Sequence, residues 1–167
     1  MTVNQALAQI KTKLTPKIDA ALNEAVYPIV QLVEGEAIDD VVYSVQTSGY
    51  YERRGDMGGL GDYDNMVIEG GSASNGRLAV INITPANPYK NGRTASGGIS
   101  GNYGYFDGTD LSYLVEYNTI NKGLGRYDWW SGHPRQFTHE AIERLRSTGD
   151  HVSALKTGLK KQGIKVK

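Results

Sequence analysis

Near the start of the chain, apolar residues recur at steps of three and four, the spacing of one face of an α-helix. We therefore predict a helix over residues 4–34, with Gly35 as its C-terminal stop. Pro16 after Thr15 could begin a fresh helix, and Pro28 could kink the remainder or end it early. The apolar positions are Leu7, Ile10, Leu14, Ile18, Ala21, Leu22, Ala25, Ile29, Leu32 and Val33.

The simplest interpretation of this apolar face is that it packs against the protein's own core, as amphipathic helices of globular domains do. The alternative is that part of it packs against a neighbouring subunit. Both interpretations predict that the same helix face is apolar. They differ in whether the chain's own core or another subunit covers it.

A small sheet is predicted further along, from short runs rich in β-branched and aromatic residues. The predicted strands are at about 42–47, 66–70, 77–83 and 111–117. Residues 36–48 as a whole are also compatible with a short helix. Residues 72–76 give a hairpin signal, because Asn75 and Gly76 tolerate the positive φ of a tight turn. Both faces of 77–83 are mostly apolar, which predicts a strand covered on both sides.

Two Gly-rich stretches separate these elements. Residues 49–65 hold five Gly and the pair Arg53 and Arg54. Residues 84–110 hold six Gly, two Pro and four aromatic rings. Ordering such a segment costs roughly 1–2 kcal/mol per residue in backbone entropy. We therefore predict that this segment is an assembly arm, whose aromatic side chains are buried by a neighbouring subunit or by the next oligomeric ring. These side chains are Tyr89, Tyr103, Tyr105 and Phe106.

Two helices are predicted at the C-terminal end. The first begins at Thr138 as N-cap, with Phe137 and Ile142 as a hydrophobic staple across the first turn. The second begins at Asp150 and ends at Gly163, in the hydrogen-bonded turn called a Schellman motif. The whole pattern predicts a single α+β domain over residues 1–167. In it, a small, mainly antiparallel sheet carries the long N-terminal helix and the two C-terminal helices.

Composition narrows the functional classes. Lys plus Arg and Asp plus Glu both number 18, so charge gives no case for nucleic acid or a membrane surface as partner. Cysteine is absent, which excludes disulfides and thiolate metal sites. The N-terminus is amphipathic rather than continuously apolar, so we expect neither a signal peptide nor a membrane span.

Candidate chemistry is sparse. His139 begins like a zinc-protease helix, but Glu143 stands where the second His is needed. Residues 62–65 alternate oxygen ligands without the Gly and the distant Glu of a calcium loop. No spacing indicates a nucleophile, a phosphate-binding loop or a carboxylate pair. We therefore expect no catalytic residues, no metal and no cofactor, and thus no enzyme.

Large aromatic and arginine side chains are the sharpest remaining signal. Trp129 and Trp130 could stack on a sugar or a base, bury against a partner, or fill the core. Arg53 and Arg54 are either a solvated pair or part of an interface, since Arg and Tyr are enriched at interface cores.

One family resemblance emerges from two motifs. Residues 111–119, LSYLVEYNT, resemble the "YAxxVEYGT" strand of the tail-completion, or tail-to-head joining, proteins of long-tailed bacteriophages. Residues 134–137, PRQF, and the helix after them resemble that family's "ARPFLxPAL" segment. The departures are Asn118 in place of Gly and the inserted Gln136.

The resemblance implies a structural virion protein of the phage neck, made in the host bacterial cytoplasm. It implies a homo-oligomeric ring, with a portal-side connector or stopper on one side and the tail terminator or tail tube on the other. A tail terminator of similar size, a carbohydrate-binding module using Trp129, Trp130 and Tyr105, and a small hydrolase or metal-dependent nuclease are the alternatives. The candidate interface residues are Arg53, Arg54, Tyr89, Tyr103, Tyr105, Phe106, Trp129, Trp130 and Arg135.

Overall fold

The computed structural model describes residues 2–44, 58–84 and 135–166. The predicted α+β class is confirmed: a long N-terminal helical segment, a small two-stranded antiparallel sheet and two C-terminal helices. The predicted strand at 111–117 lies outside the described residues, and so does the predicted assembly arm beyond Thr84.

The N-terminal helical segment runs from Val3 to Tyr43 and is longer than predicted. Its parts are α1 (Val3–Ala21), a π-helical turn (Leu22–Val26), α2 (Tyr27–Ile38) and a second π-helical turn (Asp39–Tyr43). A capping box starts it: the Gln5 backbone N–H donates to Thr2 Oγ1, and the Thr2 N–H donates to Gln5 Oε1.

None of the predicted breaks ends this segment. α1 continues through Pro16, so the predicted fresh helix start there is wrong. Pro28 follows directly after the first π-helical turn and the first residue of α2. A π turn shifts the hydrogen-bond register by one residue, which eases the loss of the proline N–H. Gly35 lies inside α2 rather than after it, so its predicted role as a stop is also wrong.

The predicted strand at 42–47 is wrong where the structure describes it. Val42 and Tyr43 belong to the second π-helical turn, and Ser44 is in a turn. Continuation of the helix outweighs the local β-propensity of the valines, since that propensity is weak and depends on context. Residues 45–47 lie outside the described residues.

The sheet has two short strands, β1 (Met66–Ile68) and β2 (Val80–Asn82). The predicted tight turn between them is confirmed, because Asn75 and Gly76 have φ of 53° and 74°. Ser74 and Arg77 pair on either side of it through two backbone hydrogen bonds of 3.0 Å. Two positive φ values at the central positions are the mark of a type I′ turn.

Side chains of α1 and of the turn that follows it hold this hairpin connection. Asp19 Oδ1 accepts from the Gly76 N–H at 2.7 Å. Asn23 Oδ1 accepts from the Ala73 N–H at 2.8 Å, and its Nδ2 donates to Ser72 Oγ at 3.0 Å. The connection is therefore tied to the N-terminal helical segment by side-chain hydrogen bonds.

The prediction that the second strand is covered on both faces is wrong. Asn82 and Thr84 are buried, whereas Ile81 and Ile83 are exposed. Alternate residues of a strand point to opposite faces, so one face of β2 is covered and the other is not.

The two C-terminal helices are α3 (Phe137–Thr148) and α4 (Asp150–Lys161). α3 begins two residues before the expected position, because Phe137 is already helical where Thr138 was the predicted N-cap. α4 begins one residue before, because Gly149 takes the N-cap place of Asp150. The staple prediction is therefore wrong in its geometry, although Phe137 is buried as expected. The Schellman ending of α4 is confirmed: the Gly163 N–H donates to Lys160 O, and the Ile164 N–H donates to Leu159 O.

α4 packs against α1 and the first π-helical turn. Gly158 of α4 faces Ala21 and Ala25 so closely that a Cβ on Gly158 would lie 2.9 Å and 3.0 Å from their Cβ atoms. The end of α4 reaches Lys17, whose Nζ donates to Gln162 O at 2.9 Å. Small residues therefore set the closest approach of these two elements.

The chain divides into two compact units. The first comprises Met1–Val33, Val67–Ile81 and Glu143–Lys167, and the second comprises Glu34–Met66 and Asn82–Ile142. Each boundary falls inside a helix or a strand, whereas domain boundaries usually fall in exposed linkers. The single domain over residues 1–167 stays a prediction.

Candidate functional site

Asp62 organises a Gly-rich turn in the second unit. Its Oδ2 accepts from the Gly58 N–H at 2.6 Å, and its Oδ1 accepts from the Asp64 N–H at 2.9 Å. The second bond caps the 3-10 turn Tyr63–Asn65. Gly58 has φ of +77°, a conformation that glycine adopts without strain. One carboxylate thus fixes both the start and the end of this turn.

Polar side chains of Asn65, Asn82 and Thr84 also fix the same turn, and the last two are buried. Gly59 O accepts from Asn65 Nδ2 and from Thr84 Oγ1, both at 3.0 Å. Leu60 O accepts from Asn82 Nδ2 at 2.9 Å. Asn82 Oδ1 accepts in turn from the Thr84 N–H, and the single hydroxyl proton of Thr84 is shared between Asn82 Oδ1 and Gly59 O. Because Thr84 is fully buried, this network also fixes the chain where the predicted assembly arm begins.

Two tyrosines join the Gly-rich turn to α2 and the second π-helical turn. The Tyr63 ring lies over Gly35, where a Cβ would be 2.8 Å from Tyr63 Cε1. The Gly61 N–H donates to Tyr43 Oη at 3.3 Å. Gly35 is therefore needed for the close approach of a ring rather than for ending a helix. Tyr63 keeps 48% of its surface exposed.

The result is an open cleft of about 590 Å³, which we call the acidic cleft. It is lined by Gly35, Asp39, Tyr43, Gly61, Asp62, Tyr63 and Asp64. Among the described residues, the lining holds three carboxylates, Asp39, Asp62 and Asp64, and no Lys or Arg. The Arg135 guanidinium lies nearby, at the Val41 carbonyl. A negative cleft with aromatic walls attracts cationic groups and offers ring surface to apolar side chains.

In residues 2–44, 58–84 and 135–166, no group of three or more His, Asp or Glu is arranged to hold a metal ion. His139 and Glu143, the pair considered for zinc, are both exposed on α3, and Glu143 pairs with Arg146 at 2.6 Å. Within the same ranges, no helix is both long and apolar enough to cross a bilayer.

A second surface, in the first unit, is the apolar face of the first turns of α1. We call its four members, Val3, Leu7, Ile10 and Leu14, the N-terminal stripe. Their exposed fractions are 75%, 58%, 52% and 38%. Lys11 and Lys13 are exposed on the same turns, and residues 2–18 contain no Asp or Glu. An exposed apolar row of this length makes the stripe a candidate interaction surface.

Of the predicted interface residues, the structure describes Arg135 alone. Its Nη1 donates to Val41 O at 3.2 Å, which ties the residues before α3 to the last turn of the N-terminal helical segment. A cation is favoured at that end of a helix. Its role at an interface stays a prediction. The other eight residues lie outside the described residues: Arg53, Arg54, Tyr89, Tyr103, Tyr105, Phe106, Trp129 and Trp130.

Sequence reasoning did not identify the acidic cleft. Local patterns predict a helix or a strand at Asp39 and Tyr43 and a loop at Tyr63. The sequence does contain a hint of the cleft, because tyrosines and carboxylates occur both before and after residues 45–57. Their convergence depends on contacts between distant parts of the chain, which local patterns do not encode.

A comparison with protein families finds one model, YomN, that matches residues 6–161, from α1 to the end of α4. The chain belongs to the YomN family. YomN is a phage-associated family whose name refers to the Bacillus phage SPBeta region, so this chain is a phage-related protein. Comparisons with curated proteins and with solved structures find no match. The family match does not extend to tail completion, which remains a proposal.

Proposed function

We propose that this chain is a structural protein of the phage neck, which forms a ring joining the head connector to the tail. On one side the ring binds a portal-side connector or stopper, and on the other the tail terminator or tail tube. The chain is made in the host cytoplasm and becomes part of the virion, and it performs no catalysis.

The N-terminal stripe carries this proposal. A phage-related protein of neutral charge exposes four aliphatic side chains in one row, at 38% to 75% of their surface. Burial of one such side chain contributes roughly 1.5–3 kcal/mol. An uncovered row is therefore a source of association energy, which a structural subunit needs and an isolated enzyme does not.

The tethered position of the predicted assembly arm supports the same function. Thr84 is fully buried in the polar network, and Phe137 is buried at the start of α3. Arg135 is held by the Val41 carbonyl. The chain is therefore fixed on both sides of residues 85–134. This stretch contains the first motif of the family resemblance, residues 111–119, and the first residue of the second motif. That arrangement suits a binding segment presented by a rigid support.

Electron microscopy of particles from a phage that carries this gene, with and without the gene deleted, tests the proposal. We expect the deletion to yield full heads and separate tails, and complementation to restore joined particles. Antibody or tag density should lie at the neck. Joined, infectious particles without the protein would contradict the proposal. So would reproducible hydrolysis of peptidoglycan, polysaccharide or DNA by the purified chain that one His or carboxylate substitution abolishes.

A further inference from the structure

The N-terminal stripe combines an apolar row with a basic rim. Along α1 its members follow steps of four, three and four residues, the spacing of a and d positions in a heptad. Lys11 and Lys13 then occupy the flanking e and g positions. These flanking positions set which partner an apolar seam accepts, because their charges meet those of the partner.

Pairing of the stripe with the same stripe of another copy is disfavoured. Both flanks of the stripe carry Lys, so a second copy of the stripe would bring only further positive charge to the same seam and no carboxylate to pair with it. Residues 2–18 contain three Lys and no acidic residue, so no compensating charge lies nearby in the sequence. The partner surface should therefore be negative and able to cover aliphatic side chains.

The acidic cleft has this chemistry on the same chain. Asp39 and Asp64 line it and are exposed. Residues 34–44 carry four acidic side chains, of which Glu34 is buried, and the cation bonded to this stretch is Arg135, at the Val41 carbonyl. Tyr63 offers an aromatic ring that is 48% exposed. The chain is neutral as a whole, yet it segregates its charge between a basic apolar surface and an acidic aromatic one.

From this complementarity we infer that the N-terminal stripe of one copy binds the acidic cleft of the next copy. The interface is heterologous, since each copy presents one surface and receives a different one, so repeated association closes into a ring or continues as a filament. Its identification with the ring of the phage neck rests on the proposed function. The association itself is a property of the purified chain.

Complementary charge variants test this interface. The first variant carries Lys11→Glu and Lys13→Glu, and the second carries Asp39→Lys and Asp64→Lys. All four side chains are exposed, so each variant should keep the thermal midpoint of the wild-type protein. The matched control is Lys156→Glu with Lys160→Glu, which makes the same charge change at exposed positions of α4.

Analytical ultracentrifugation of the full chain over a range of concentrations gives the readout. We expect the wild-type protein and the control to associate, and to associate less at high salt. Each charge variant alone should associate on the order of tenfold more weakly or worse, because like charges meet at the interface. An equimolar mixture of the two variants should recover association, since every stripe then finds a cleft of opposite charge.

Three outcomes would overturn the inference. Association of the Asp39→Lys, Asp64→Lys variant at wild-type strength would show that the stripe binds something other than the cleft. A mixture no better than either variant alone would show that the two surfaces do not meet. A wild-type chain that stays monomeric at the highest soluble concentration would show that the surfaces do not pair. If it then floats with anionic phosphatidylserine vesicles in a manner dependent on Ile10 and Lys11, the stripe is a membrane-binding face.

Cysteine cross-linking gives a second readout, because the natural chain has no cysteine. A Lys13→Cys copy and a differently tagged Asp64→Cys copy should form mixed disulfide dimers in preference to dimers of either variant alone. Failure of this pattern contradicts the inference even if the protein is placed at the neck. If the purified variants cross-link as expected but particles from the gene-deleted phage still have normal necks, the neck function is contradicted and the interface is supported.

Discussion

The first and last turns of α1 share one apolar periodicity and differ in what covers them. Ala21 is fully buried, whereas Val3, Leu7, Ile10 and Leu14 are exposed. The difference lies in α4, which packs closely at Ala21 through Gly158 and ends where Gln162 O meets Lys17 Nζ. α4 therefore ends near Lys17 and does not extend to the first turns of α1. The same pattern therefore forms core at one end and an exposed apolar surface at the other.

Side-chain size explains why contact occurs where it does. Ala21, Ala25 and Gly158 let two helical backbones approach to the limit of van der Waals contact. Larger residues at these positions would hold the elements apart. The N-terminal stripe consists of large aliphatic side chains, which suit an interface that closes after folding. The following substitutions, ordered by expected effect, test whether covered and uncovered apolar side chains differ as this contrast requires.

Phe137→Ala should have the largest effect. Phe137 is 1% exposed, and removal of a buried aromatic side chain costs roughly 3–5 kcal/mol in the free energy of unfolding. Chemical denaturation of the full chain measures this loss. Ile142→Ala on the same helix is the control, because Ile142 is 41% exposed and should cost less than about 1 kcal/mol. Equal losses of unfolding free energy for the two variants would show that burial does not determine how much each side chain contributes to stability.

Gly158→Leu should follow, with a loss of about 3 kcal/mol. The new side chain would meet Ala21 Cβ and Ala21 Cα within about 3 Å, and overpacking forces backbone shifts. The better helix propensity of Leu offsets less than about 1 kcal/mol of this loss. Thr157→Leu, at the neighbouring exposed position, should change the thermal midpoint little. An unchanged midpoint for Gly158→Leu would mean that α4 does not need its close contact with α1.

Asn82→Ala should cost about 2 kcal/mol, because it leaves the Leu60 carbonyl and the Thr84 N–H without these partners in a buried place. The exposed Asn4→Ala on α1 provides the control for loss of an amide. Hydrogen exchange should also show faster opening of the Gly-rich turn in Asn82→Ala. Wild-type stability would show that water replaces the network without cost.

Leu7→Gln should have the smallest effect on stability, within about 0.5 kcal/mol, because Leu7 is 58% exposed and Gln is a good helix former. Thermal denaturation of dilute protein measures this, and sedimentation at high concentration should show weaker association of the same variant. A large drop in the midpoint of the dilute protein would place Leu7 in the core and remove the contrast between the two ends of α1.

Local sequence determined the features that depend on near neighbours. Asn75 and Gly76 specified a tight turn because they accept positive φ, and Gly163 specified the end of α4 for the same reason. The three- and four-residue spacing specified a long helix. The burial of Phe137 was also predictable, although the residue at which α3 starts was not, since the choice of cap depends on the preceding chain.

Tertiary structure decided what local patterns leave open. Gly35 reads as a helix stop by itself, and only the Tyr63 ring packed on it shows that glycine is needed for contact. Val42 favours a strand locally, yet the helix continues through it, because helix ends are set by packing as well as by propensity. The acidic cleft joins residues 35–43 to residues 61–64, which meet only in the folded chain. Periodicity fixes which face of α1 is apolar, whereas the length of α4 decides how much of that face is left exposed.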